Sequence, residues 1–405
     1  MRKAGWNNDM KANMREAKGE RTGLYFKLAL AVWLTALLVI SVMVFLSPSA
    51  HSVTPVYHDA VQHWLDRDPL YIQRNFHYFP QFVLFFMPFH FMKVPYGDIL
   101  YRISAVVFLA WGLWRSINLV RLPIGKDLSF LCATLVSLGP SLGAIRNGQA
   151  NLAVAAIAVN AVVCLARSQW WRASLLLVGG VFIKPIGLVI LFFSMLVYRP
   201  VIWRSALVIP PALTLPFLFA EYSYVISQYR EFISHLFTIS ATTKYGFADV
   251  NGLLRSLGIG LSAAASQISR AAAGLVTAVV LMTGSKRIHG PARACLLLGL
   301  STAYLVLFNP MTEGNSYVIV APGIALYAVI FFGVKRFSIL GWWLVFTSFS
   351  IYPLPEILRE LDEDFGLWSR PLLLLIFYVL LASIIFTKTF DSLIVDSKES
   401  EQVSL

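Results

Sequence analysis

Residues 53–71, VTPVYHDAVQHWLDRDPLY, place Asp59, His63 and Asp66 at i, i+4 and i+7. On a helix that spacing sets carboxylate, imidazole and carboxylate along one face. Such a face can take a proton from a hydroxyl, with Asp59 as general base, partly buried at a water and lipid boundary and tuned by a neighbouring His. The opposite face would turn Val61, Trp64 and Leu65 to the membrane surface, making an amphipathic juxtamembrane helix. A solvated polar loop is the plain alternative. Asp59 and His63 with Asp66 or Asp68 could also coordinate a divalent cation, but no recognisable metal signature surrounds them.

Four further tracts carry polar chemistry. LLLVGGVFIKPIGLVILFF puts the Lys184 ammonium inside an apolar run, at a cost of about 2.5–3.5 kcal/mol if it sat at mid-membrane. An anion such as a lipid-linked phosphate would offset that charge, and Pro185 breaks the helix as helices do around polar cavities. A lysine snorkelling to the interface is the other reading. AIRNGQANLAV brings Arg146, Asn147, Gln149 and Asn151 to the mouth of a helix, with Gly148 permitting close approach; its amides suit sugar hydroxyls, or Asn147 is a plain cap. FNPMTEGNSYVIVAP gathers Asn309, Thr312, Glu313, Asn315 and Ser316, with Glu313 as a second acid or base, or as an exposed turn. YGFADVNGLLRSLG (245–258) reads as an ordered piece of a long loop with Asp249 and Asn251 towards an acceptor.

What must position these residues is set by composition. The 405 residues are 58% hydrophobic and only 13% charged, far below the roughly 25% charge of soluble domains. Runs such as residues 24–46 reach the roughly 20 apolar residues a bilayer-spanning helix needs, so the fold class is all-α, a polytopic transmembrane bundle of about ten to twelve membrane segments. Candidate segments are 24–47, 97–119, 127–143, 150–166, 173–198, 205–220, 271–284, 293–309, 316–333, 337–353 and 370–387. Residues 79–92, with Pro88 inside, suit an interfacial or re-entrant helix.

The net charge of +12 is read as cytoplasmic-loop bias, and no nucleic-acid partner is expected. With 79–92 not crossing and 173–198 a hairpin broken at Lys184–Pro185, the basic residues of the N-terminal tail, Arg115, Arg121, Lys126, Arg167, Arg172, Arg199, Arg204, Lys286, Arg287, Arg293, Lys335, Arg336 and Lys388 fall on the cytoplasmic side. The polar tracts fall on the other. The expected division is a cytoplasmic tail 1–23, a transmembrane domain 24–388 with a first outer loop 48–96 and a long outer loop 221–270, and a tail 389–405. Cys132, Cys164 and Cys295 lie singly in apolar segments as packing residues.

The order YHDAVQHWLDRDPLY, FHYFPQFVLFFMPF, NGQANL, FIKP, FADVNGLLRSLG, NPMTEGNSYVIVAP resembles glycosyltransferase family 87, membrane mannosyltransferases that use polyprenyl-phosphate sugars. The likeness runs over residues 24–333. It implies a GT-C fold with short helices in the first outer loop, and inverting transfer of a hexose, mannose first, to a lipid or glycan hydroxyl. It further implies a multi-pass protein of the cell membrane with its active side extracytoplasmic and both termini cytoplasmic. By this resemblance an outer-loop acid, Asp59 first, is the catalytic base and Lys184 and Arg146 would hold the donor phosphate, with Glu313 of the polar tract as the second catalytic candidate. His58, His63, Tyr78, Gln81, Asn147, Gln149, Asn151, Asn251 and Asn315 would hold sugar or acceptor, with no cofactor. Members carry an acid slightly upstream of the aromatic at Tyr57 and histidines where this chain has Glu313, Gly314, Asn315 and Ser316. A transporter or flippase for lipid-linked sugars would use the same cation and amides, although no internal repeat is visible; a non-catalytic envelope-assembly partner is the third reading.

Overall fold

A backbone in hydrocarbon must satisfy its own polar groups, so long apolar runs can cross only as helices or closed barrels. In the computed structural model this chain takes the helical solution. The structure describes residues 2–72, 75–120, 124–240, 246–334 and 337–385, with side chains of the first helix from residue 23 on, and contains no strand among them. Arg121, Lys335, Arg336, Lys388 and the 389–405 tail lie outside the described residues, as do the side chains of the basic N-terminal tail.

The order is α1 (Arg2–Leu46), α2 (Thr54–Asp66), α3 (Pro80–His90), α4 (Tyr96–Ile117), α5 (Lys126–Asn147), α6 (Ala150–Ala166), α7 (Trp170–Ile183), α8 (Gly187–Val197) and α9 (Pro200–Thr214). Then come α10 (Tyr222–Ser240), α11 (Val250–Ser256), α12 (Ala263–Arg287), α13 (Gly290–Phe308), α14 (Ala321–Phe332), α15 (Ser338–Ile351), α16 (Leu354–Leu358) and α17 (Phe365–Ile384). Proline stands in the first turn of α2, α3, α9, α13 and α14, where its missing N–H costs no hydrogen bond. Among the described residues seven helices are long and apolar enough to cross a membrane, and five shorter apolar ones accompany them. Each of the eleven expected segments contains a helix, and the protein is a multi-pass membrane protein.

Two short helices form the centre. Every residue of α6 from Ala150 to Leu165 is buried, as is α14 from Ala321 to Phe331. Apart from Asn151 and Asn160 of α6, their faces are apolar all round because protein surrounds them on every side. Helix α3, of 11 residues, is about 16 Å long and cannot span a core of about 30 Å. The run 173–198 is indeed broken: α7 ends at Ile183, Lys184 is extended at φ −148 and ψ 129, and α8 restarts at Gly187. A Cβ on Gly187 would lie 2.7 Å from the backbone of Gly180, so the chain folds back on itself there. Because the helices alternate in direction, α2, the α5–α6 turn, Lys184, α11 and residues 309–316 gather at one end of the bundle.

The face of α2 differs from expectation. Val61 and Trp64 are buried within the protein, not turned to the membrane surface, and only Leu65 of the three is exposed. The reason is α10, an element the sequence had not marked: Tyr224 stacks edge-on against Trp64, its hydroxyl donates to the Asp68 carbonyl at 2.7 Å, and Gln228 accepts from the Leu70 N–H at 2.8 Å.

Candidate active site

The α5–α6 turn is the pivot. Helix α5 ends where Gly148 takes φ +68, and a Cβ there would lie 2.8 Å from both Arg102 and Thr54, so only glycine admits that approach without strain. The chain then enters α6 with Gln149 and Asn151 directed away from the turn. Asn151 Nδ2 donates to Gln149 Oε1 at 2.8 Å and to Ser316 Oγ at 3.2 Å. From the break between α7 and α8, Lys184 Nζ donates to Asn151 Oδ1 at 2.7 Å. At the far side Gln149 Nε2 donates to Glu313 Oε2 at 2.9 Å. Every bond in this chain runs from donor to acceptor in one sense, ammonium to amide to amide to carboxylate. Aligned amide dipoles between a cation and an anion strengthen one another.

Aromatic rings close the cluster. Tyr78 lies with its ring centroid 5.8 Å from Lys184 Nζ and its hydroxyl 2.8 Å from that of Tyr57, which accepts from the Ala150 N–H at 3.2 Å. Beside it His77, in the loop before α3, stacks on the ring of His235 from α10 with nitrogens 2.7 Å apart. Burial, the second imidazole and the Lys184 charge push His77 down to about 4. Glu313 is exposed and Lys184 half-buried, while Gln149 and Asn151 between them are buried. An ammonium to meet phosphate charge, a carboxylate to take a proton and fixed amides for hydroxyls are what transfer from a phosphate leaving group requires.

A second cluster lies on the other side of α2. Asp98, at the start of α4, is buried; its Oδ1 accepts from His58 Nε2 at 2.9 Å and its Oδ2 from Thr54 Oγ1 at 2.8 Å. His58 Nδ1 is 3.1 Å from His90 Nδ1. Arg102, one turn along α4, bonds the carbonyls of Asp98, Ile145 and Arg146 and the Ser52 hydroxyl. This cluster ties α2, α3, α4 and the end of α5 together.

The structure thus brings Tyr78, Gln149, Asn151, Lys184 and Glu313 into one site and leaves other candidates elsewhere. Asp59 and Asp66 are exposed on the outer face of α2, not partly buried, and Asp66 accepts from Gln62 at 2.7 Å; His63 is half-buried on the same face. Arg146 lines a hollow against the end of α1 with Met43, Leu46 and His51. His58 is taken up by Asp98, and Gln81 Nε2 donates to the Ala212 carbonyl and the Tyr229 hydroxyl. Asn251 is buried and donates to Ser266 Oγ at 2.7 Å, and Asp249 caps α11 through the Gly252 N–H at 2.8 Å. Asn147 ends α5 and caps nothing, and Asn315 sets its amide oxygen against Gly143. Among the described residues no group of three or more His, Cys, Asp or Glu is arranged to hold a metal ion.

Sequence reasoning missed Asp98, Arg102, the His77 and His235 pair, and Arg370. The last supports the Glu313 turn: its guanidinium lies 2.7 Å from where a Gly314 Cβ would stand, and it bonds the Ile351 carbonyl and Glu356. The Asp98 and Arg102 spacing of i, i+4 was a visible signal of a paired face on an apolar helix.

Residues 76–310 match the model of glycosyltransferase family 87. The chain belongs to that family. The match spans more than half of the sequence and includes Tyr78, Gln149, Asn151 and Lys184; Glu313 lies just beyond it. No curated protein matches the chain. This family 87 protein is therefore a membrane glycosyltransferase, acting on a sugar donor and an acceptor at the membrane.

Proposed function

We propose that the protein transfers a hexose, mannose first among candidates, with inversion from a polyprenyl-phosphate donor to a hydroxyl of a lipid or glycan, on the extracytoplasmic side of the cell membrane. The observation that supports this reading is the hydrogen-bonded chain from Lys184 through Asn151 and Gln149 to Glu313. Glu313 takes the proton of the acceptor hydroxyl, the freed oxygen attacks the anomeric carbon, and the bond from that carbon to the phosphate oxygen breaks. Polyprenyl phosphate leaves with the electron pair, and Lys184 offsets its charge. Asn151 and Gln149 hold both charged groups in place while a sugar lies between them. The reaction so written uses no cofactor.

The base is assigned to Glu313 because it is bonded through Gln149 and Asn151 into the cluster that contains Lys184. Transfer assays on the purified protein with a panel of polyprenyl-phosphate sugars and membrane lipid extracts test both assignments. Glu313→Gln is expected to lose about 10²–10⁴-fold in turnover with membrane insertion intact, and Asp59→Asn to stay near the parent. The reverse pattern gives the role to Asp59. Inactivity of the parent with every donor in the panel rejects the substrate class.

A further inference from the structure

At the opposite end of α6 from the site, a cavity of about 530 Å³ opens between α4, α6 and α7, lined by Trp111, Arg115, Cys164, Arg167, Arg172 and Leu175, with Gln169 at its edge. Three guanidiniums surround it and no carboxylate lines it. Among the described residues none of these three arginines is in an ion pair with a carboxylate.

One of the three is built in. Arg115 Nη1 donates to Asn160 Oδ1 at 3.0 Å, and its guanidinium lies 4.5 Å from the centre of the Trp111 ring. Asn160 is fully buried and is itself fixed, its amide donating to the Phe108 and Ala156 carbonyls at 2.9 Å. Gly112 makes room for it, since a Cβ there would fall 2.6 Å from Asn160 Nδ2. Arg115 therefore meets the cavity at a set position, with a cation–π contact behind it.

Two more features select the charge and the kind of ligand. Helix α7 has 14 residues, starts at the cavity, and Gln169 makes no side-chain cap, so its first N–H groups and the positive end of its dipole are open to an anion. Along α4 and α7 from the cations, Val107, Trp111 and Leu175 are exposed apolar side chains. Cations above and bare apolar surface below match a molecule with an anionic head and acyl chains, not a small soluble anion. The stretch of α6 between cavity and site, Leu152–Val159, is apolar and buried, so the two are separate sites.

We infer that this cavity is a binding site for the phosphate headgroup of an anionic phospholipid whose chains lie along α4 and α7. The inference stands independently of the donor and base proposed above. Native mass spectrometry of the purified full chain, offered phosphatidylglycerol or phosphatidylcholine, reads it out directly. The parent is expected to retain phosphatidylglycerol in preference. Arg167→Gln with Arg172→Gln, two exposed positions, is expected to weaken that retention on the order of 10-fold or more. Arg167→Lys with Arg172→Lys keeps the charge and is expected to retain most of it, separating lost charge from lost fold. Equal retention by the Gln pair and the parent overturns the site, and displacement of the lipid by inorganic phosphate at equal concentration overturns the lipid assignment.

Discussion

A carboxylate buried in an apolar bundle needs donors on both oxygens, and Asp98 has them in His58 and Thr54. It went unnoticed in the sequence because an Asp in the first turn of a helix is ordinary, whereas Lys184 stood out because an ammonium in an apolar run is costly. The same reasoning applies to His77, an unremarkable residue in FHYFP until His235 arrives from α10. Its folded value near 4 lies below the ordinary 6.5, so the unfolded chain binds the proton first. The stability this imidazole contributes is complete above 6.5 and is lost as pH falls towards 4. His77→Gln is therefore expected to lose less of its thermal midpoint than the parent over that interval; parallel curves would remove His77 as the cause. Asp249 works with the opposite sign: burial raises it from 3.8 to about 6, so its contribution is complete below 3.8 and is lost as pH rises through 6. Comparing variant with parent at each pH separates the two.

At the scale of elements, the break between α7 and α8 decides where the cation goes. Pro185 was legible as a breaker, but a breaker alone leaves open whether the chain kinks or folds back. The contact of Gly187 with the Gly180 backbone settles it as a fold-back, which lifts Lys184 to Asn151. Gly187→Ala would drive a Cβ to 2.7 Å from backbone atoms that cannot rotate away, at a cost of about 1–3 kcal/mol. The expected result is a lower thermal midpoint together with weaker donor binding, because Lys184 is displaced with the turn. Unchanged donor binding in that variant would detach the hairpin geometry from the site. Helix α10 shows the limit of local reading. Its polar and apolar residues alternate too evenly to read as a span, and what makes it an element is docking against Trp64, Leu70 and Tyr71.

For the whole molecule, alternation of helix direction puts the Lys184 to Glu313 site at one end and the three-arginine cavity at the other. The proposed orientation makes the site end extracytoplasmic. In a background with the native cysteines replaced, Glu363→Cys is expected to react with a membrane-impermeant maleimide on intact cells, and Lys286→Cys only after permeabilisation; both positions are exposed. The inverse pattern would turn the protein over. By itself the sequence determined the all-helical bundle, the position of its apolar segments and the break at Lys184, because membrane insertion is decided by local runs of about 20 residues and by single costly charges. It also supplied the tracts that hold Tyr78, Gln149, Asn151, Lys184 and Glu313. Only the tertiary structure decided which of them meet, since Gln149 and Glu313 are separated by 164 positions in the chain. It turned Asp59 outward, set His58 on Asp98 and bound Asn251 to Ser266. A polar residue announces its need for a partner in the sequence, but long-range packing chooses the partner.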